Sequence, residues 1–198
     1  MKRASGKKSG RFQLKPDWKW ITMIFGITIG ISATMSFVSN EILSAGGMAL
    51  SFVVLLVIIL LGIIFDIIGV AVTAAEERPF HSMAAKKVPE AMVAIRMLRK
   101  AERVSSFCND VVGDICGVVS GSASAIIVAR VVVGSQPVMD EVIQLLMSAL
   151  VAGLTVGGKA FGKAVAMSNS TAIIHTAAKL IYCVQSLPRK LGQLFRHR

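Results

Sequence analysis

The chain has 198 residues, 54% of them hydrophobic and 17% charged, with 22 Lys and Arg against 11 Asp and Glu for a formal net charge of +11. Soluble domains sit near 45–50% apolar and about 25% charged, so a mean hydropathy of +0.68 excludes an ordinary soluble nucleic-acid binder and, outside the termini, intrinsic disorder. Three cysteines are too few for a disulfide scaffold; apolar residues in lipid with basic residues flanking it reconcile the composition with the charge.

In chain order, a basic segment over residues 1–19 leads into a membrane domain over 20–187, followed by a basic tail over 188–198. A spanning helix needs roughly 20 predominantly apolar residues, and four runs qualify. The first, Ile21 to Val38, is introduced by Trp18 and Trp20, aromatic residues that favour the headgroup level. It is longer than the roughly 7–15 apolar residues of a secretory signal, and Ser39 to Gly47 turns it into the next run. The second, Met48 to Ala75, is nearly unbroken from Val53 to Ile64 and exceeds the bilayer thickness, so it tilts or emerges. The third, Ser105 to Val133, is rich in polar residues, and the fourth, Val138 to Val156, follows a turn around Gly134, Ser135, Gln136 and Pro137. Between the second and third, Arg78 to Arg103 is basic, with Met92, Ile95 and Leu98 at helical spacing. After the fourth, Ala160 to Leu187 reads as a second amphipathic segment ending at Pro188. Both are expected to be helices on a membrane surface, with a simple solvated face as the equal alternative for their charges.

Of the 22 basic residues, 21 fall into the amino-terminal segment, the middle loop and the segment after the fourth run. Four spans put all three blocks on one side, whereas the opposite loops hold Glu41, Asp140 and Glu141, and only Arg130 falls elsewhere. The positive-inside rule then gives a multi-pass protein of the plasma (inner) membrane with both termini cytoplasmic. The partner implied by the charge is the lipid bilayer, not nucleic acid.

Ionisable groups inside a span are costly unless they face protein, water or an ion. Asp66, Gly69, Thr73 and Glu76 keep to one helical face, though Glu76, beside Glu77 and Arg78, also fits an ordinary solvated charge. In the third run Ser106, Asn109, Asp110, Gly113, Asp114, Gly117, Ser120, Gly121 and Ser124 recur at threes and fours. Asp110 and Asp114 form an i, i+4 pair of like charges, relieved by a cation between them or by protonation of one carboxyl. Carboxylates, an amide and hydroxyls suit a hard cation such as Mg²⁺, whereas zinc or copper calls for His and Cys. Close helix packing is the competing reading: Gly113, Gly117 and Gly121 make small-xxx-small steps, which explain the glycines and serines but not two aspartates and an asparagine. His81, His175 and His197 are scattered, and Cys108 and Cys116, about 12 Å apart along a helix, read as small packing residues. No phosphate loop, HExxH, G-x-S-x-G or zinc-spaced Cys pair occurs, so the chain does not read as an enzyme.

Three stretches carry a family likeness: Thr73-Ala74-Ala75-Glu76; Ala91 through Leu98 and Arg103-Val104-Ser105 into Cys108-Asn109-Asp110-Val111-Val112-Gly113-Asp114-Ile115; and Gly158-Lys159-Ala160-Phe161-Gly162-Lys163-Ala164-Val165-Ala166. Together they resemble the transmembrane domain of the CorB and cyclin-M (CNNM) magnesium transporter family over about residues 49–187, without that family's nucleotide-binding CBS domains. The resemblance implies a homodimer and a cytoplasm-facing Mg²⁺ site at Thr73, Glu76, Ser105 or Ser106, and Asn109. Cys108 stands where the family has Gly, Lys159 replaces its Glu, Gly162 its Pro, and Pro79 interrupts a helix that would otherwise continue. The expectation is an all-α integral membrane protein with four transmembrane helices plus cytoplasmic juxtamembrane amphipathic helices. It would transport or bind a divalent cation at Glu76, Asn109, Asp110, Asp114, Thr73 and Ser106. The alternative is a non-transporting membrane scaffold or accessory protein that keeps the fold.

Overall fold

A computed structural model describes residues 18–132 and 137–195. The basic segment through residue 17, the turn at 133–136 and the last three residues of the tail lie outside them. Every described element is helical, and four stretches are long and apolar enough to cross a membrane. These are α1 (Trp18–Ala45), α2 (Met48–Ala74), a continuous helix over Ala101–Val131, and α7 (Pro137–Ser168). The third comprises α5 (Ala101–Ser106), a π-helical turn (Phe107–Val112) and α6 (Gly113–Val131). Two short helices, α3 (Arg78–Ala85) and α4 (Ala91–Leu98), join α2 to α5, and α8 (Ser170–Phe195) closes the chain.

The centre of the bundle is α2, against which α1, α5, α6, α7 and α8 all pack. Its sequence favours a helix: no proline, and one ionisable residue, Asp66, in a 27-residue run of otherwise apolar and small residues. With 27 residues it is about 40 Å long, against a hydrocarbon layer of about 30 Å. Two apolar clusters fill the bundle. Leu43, Leu55, Ile59, Ala123, Ile127 and Val151 meet near one end, and Ile58, Val111, Ile115, Cys116 and Val119 pack midway, with Ile24, Ile31 and Met35 of α1 against them. A third cluster sits at the end carrying Lys19, Arg78 and Lys100, where Phe80, Val93, Ile95, Leu98 and Ile174 close over Ala71 and Val72.

That basic end departs from the sequence expectation. Of the stripe Met92, Ile95 and Leu98, only the last two turn inward: α4 buries Ala91, Val93, Ala94, Ile95, Met97 and Leu98 and leaves Met92 exposed. Its apolar residues nearly encircle it, and α3, α8 and α2 supply the walls. Pro79 sits in the first turn of α3, where a missing N–H costs nothing, after the chain has already left α2 through an extended Ala75. The fourth span does not stop at Val156. It continues to Ser168, because Gly158 and Gly162 pack directly against α2 and hold the helix there. A Cβ at Gly162 would lie 2.7 Å from Ile67 Cγ1, and one at Gly158 would overlap Ile63. The final helix likewise begins after a break at Asn169 and runs through Pro188 to Phe195, one missing backbone donor being insufficient to end it.

At the opposite end, Arg130 of α6 ties α1 to α2. Its guanidinium donates to Leu43 O, to Gly46 O at 3.1 Å and to Ser51 Oγ at 3.4 Å. The two carbonyls belong to the end of α1, where backbone acceptors lack helical partners and the helix dipole favours a cation. The one basic residue outside the three blocks is thus engaged in closing the α1–α2 turn.

Candidate functional site

The polar residues of the spans meet where α2 packs on the α5–α6 helix. Gly62 and Gly69 open the surface of α2 there: a Cβ at Gly62 would lie 2.9 Å from Cys116 Cβ, and one at Gly69 would overlap Asn109 Oδ1. These two pairings run antiparallel in one register. They place Asp66, one turn from each glycine on the same face, opposite Val112 and next to Gly113. Asp66 is 4% exposed, and its Oδ2 is buried without a hydrogen-bond partner. Asn109 Oδ1 is buried and unpartnered as well, while its Nδ2 donates to Ser105 Oγ at 3.3 Å. A buried acceptor left unpaired costs about 1–3 kcal/mol; two such acceptors lie on facing helices here, and Ser39 Oγ and Asp140 Oδ1 are unpartnered elsewhere.

A cation enters this interface from a third helix. Gly158 against Ile63 and Gly162 against Ile67 set α7 parallel to α2, so Lys159 emerges level with Ile64. Its Nζ would lie 3.3 Å from a Cβ on Gly113, the residue beside Asp66 in the α2–α6 register. Lys159, half-buried, therefore turns its ammonium toward α6 although its sequence position groups it with a basic block.

Of the six residues expected to hold a cation, Asn109 alone turns inward. Asp110 and Asp114 are exposed on the face of the third span that carries Gly117 and Gly121, where a Cβ would meet nothing within 4 Å. Thr73 and Ser106 are exposed, and Thr73 Oγ1 donates to Val70 O at 2.8 Å. Glu76 is exposed just beyond the end of α2. The threes-and-fours spacing covers two adjacent stripes, and α2 covers only the Asn109–Gly113–Cys116–Ser120 stripe. The π turn over Phe107–Val112, which contains both Asn109 and Asp110, widens the helix where such turns commonly serve a site. Among the described residues no three His, Cys, Asp or Glu side chains converge to hold a metal. The donor set at the interface is one carboxylate, one amide and one hydroxyl. Cys108 and Cys116 are free and buried. His81 pairs with Glu77 at 3.1 Å and His175 with Glu90 at 3.6 Å.

The Asp66 position was visible in sequence on the Gly69–Thr73 face, but its burial depends on the glycine pairings with α6. Those pairings make a test. Gly69→Ala drives a methyl group into the Asn109 amide and is expected to destabilise the protein by about 1–3 kcal/mol, read as a lowered melting temperature in detergent, whereas Gly117→Ala, at an open position, is expected to change little. Compared with known proteins, the chain matches no protein-family model, no curated protein and no solved structure.

Proposed function

We propose that this is a membrane-embedded divalent-cation protein of the CorB and cyclin-M kind, with Mg²⁺ as its cargo and Asp66, Asn109 and Ser105 as the interior oxygens that receive it. The observation that carries the reading is the pair of buried, unpartnered oxygens, Asp66 Oδ2 and Asn109 Oδ1, on facing helices. All three donors are hard oxygens. Because Mg²⁺ gives up its water reluctantly and prefers six ligands, water completes the shell. Thr73, Glu76 and Ser106, at the basic ends of α2 and α5, stand at the mouth of the route, which the positive-inside rule makes cytoplasmic. Asp110 and Asp114 would be costly against lipid. A second copy packed over their face, where Gly117 and Gly121 allow close approach, gives the homodimer that the family likeness implies.

Lys159 favours a second reading. An ammonium beside Gly113 can neutralise Asp66 permanently, leaving a scaffold that keeps the fold and moves no ion. Proteoliposomes enclosing a Mg²⁺-sensitive dye separate the two. Transport predicts uptake by wild type that falls at least about tenfold in both Asp66→Asn and Asn109→Ala. The scaffold predicts no uptake by wild type above protein-free vesicles.

A further inference from the structure

The Asp66–Asn109 interface has a cation of its own beside it. Lys159 of α7 is half-buried, and its Nζ lies where Gly113 leaves room: a Cβ on that glycine would be 3.3 Å from the ammonium. Three helices therefore meet at one level, α2 with Asp66, the third span with Gly113 and α7 with Lys159. Lys159 is level with Ile64, so Asp66 stands two residues, about 3 Å, further along α2. Among the described residues no carboxylate pairs with Lys159 at salt-bridge distance, and Asp66 Oδ2 has no hydrogen-bond donor. The two charges are neighbours without being partners. Asp110 and Asp114 flank Gly113 in sequence but are exposed on the face that carries Gly117 and Gly121. Asp66 is thus the one of these three acids that is buried at the level of the ammonium.

We propose that Lys159 is a built-in competitor for the Asp66–Asn109 site, a tethered monovalent cation that lowers its affinity for Mg²⁺. The inference rests on the cation-site reading above and adds what sets the strength of that site. One carboxylate attracts both ions, and the ions repel each other at close range in a medium that screens poorly. A full salt bridge would satisfy Asp66 and close the site. An ammonium held a step away withdraws part of the attraction and leaves both acceptors unpaired. Release matters as much as capture, since a cation must leave a transport site as well as enter it. Lysine suits the role because its ammonium is a compact point charge on a flexible four-carbon stem. Gly113 suits it too, since a side chain there would crowd the ammonium.

Calorimetric Mg²⁺ titration of the purified full chain tests it. Lys159→Met is expected to bind Mg²⁺ at least about tenfold more tightly than wild type, and Lys159→Gln should match it. Lys159→Arg, which keeps the charge, and the exposed, distant Lys179→Gln should stay within about twofold of wild type. The gain in Lys159→Met should vanish when Asp66→Asn is added and persist when Asp114→Asn is added, a pattern that a general loosening of helix packing would not reproduce. Wild-type binding that neither Lys159→Met nor Lys159→Gln tightens would overturn the competitor and leave the cation site standing. Tighter binding that survives Asp66→Asn would overturn it as well. Asp66-dependent binding by Lys159→Met with none by wild type would support the competitor and contradict Mg²⁺ as the cargo of the wild-type chain. No binding by any of these proteins would overturn both. Helical circular dichroism and the melting temperature in Mg²⁺-free buffer establish that each variant is folded.

Discussion

Arg130→Ala is expected to destabilise the protein by about 3 kcal/mol, the scale of losing hydrogen bonds from a charged donor and stranding their acceptors. For a chain of this size that lowers the melting temperature by roughly 6–12 °C. The guanidinium holds three acceptors at once: Leu43 O, Gly46 O and Ser51 Oγ. Leu43 and Ser51 are fully buried, so water cannot readily replace the lost donor. Gly46 also leaves no room for a side chain in this turn, since a Cβ there would lie 2.9 Å from Ile42 O and 2.6 Å from Leu50 Cδ2. Arg130→Lys keeps the charge but not the planar fork, and should recover only part of the loss. A melting temperature unchanged in Arg130→Ala would mean that the α1–α2 turn closes without the clamp.

Asp66→Asn should have the opposite effect on stability. The carboxylate is buried with an unpartnered oxygen, and one turn along the interface Asn109 Oδ1 also lacks a donor. The amide is nearly isosteric and removes a buried formal charge, so the variant is expected to gain about 1 kcal/mol. The wild-type residue then persists at a cost to stability, as residues at functional sites commonly do. The same substitution should abolish stabilisation by Mg²⁺. At a free concentration of about 100 times Kd, wild type should gain about 2.7 kcal/mol, or roughly 5–11 °C in Tm. A stabilised Asp66→Asn that still responds fully to Mg²⁺ would assign the carboxylate to packing alone.

Much of the architecture was legible because helices long and apolar enough to cross a membrane announce themselves by run length. All four apolar runs are helices of spanning length, and α2 begins at Met48 as its hydropathy indicates. What hydropathy could not give is where a helix goes after its apolar run ends. Lys159 looks like the start of a basic flank, yet Gly158 and Gly162 carry α7 on against Ile63 and Ile67, and the lysine finishes beside Gly113. Packing also decided the polar stripe. Asn109 and Asp110 are adjacent in sequence, but α2 docks over one and leaves the other exposed, a choice made by Gly62 and Gly69 on a different helix. Likewise α4 looked amphipathic from Met92, Ile95 and Leu98, and only its neighbours show that Ala91, Val93, Ala94 and Met97 are buried too. Arg130 stood out in the charge count as the exception. Its role required the α1–α2 turn to be in place.

Asp66 and Asn109 are proposed to share one interior cation site. Equilibrium Mg²⁺ titration of the purified full chain by calorimetry, comparing wild type with Asp66→Asn and Asn109→Ala, tests it most directly. Saturable binding by wild type is expected, weakened at least about tenfold by either substitution. Binding of the same affinity in all three proteins, or no binding by wild type, would contradict it.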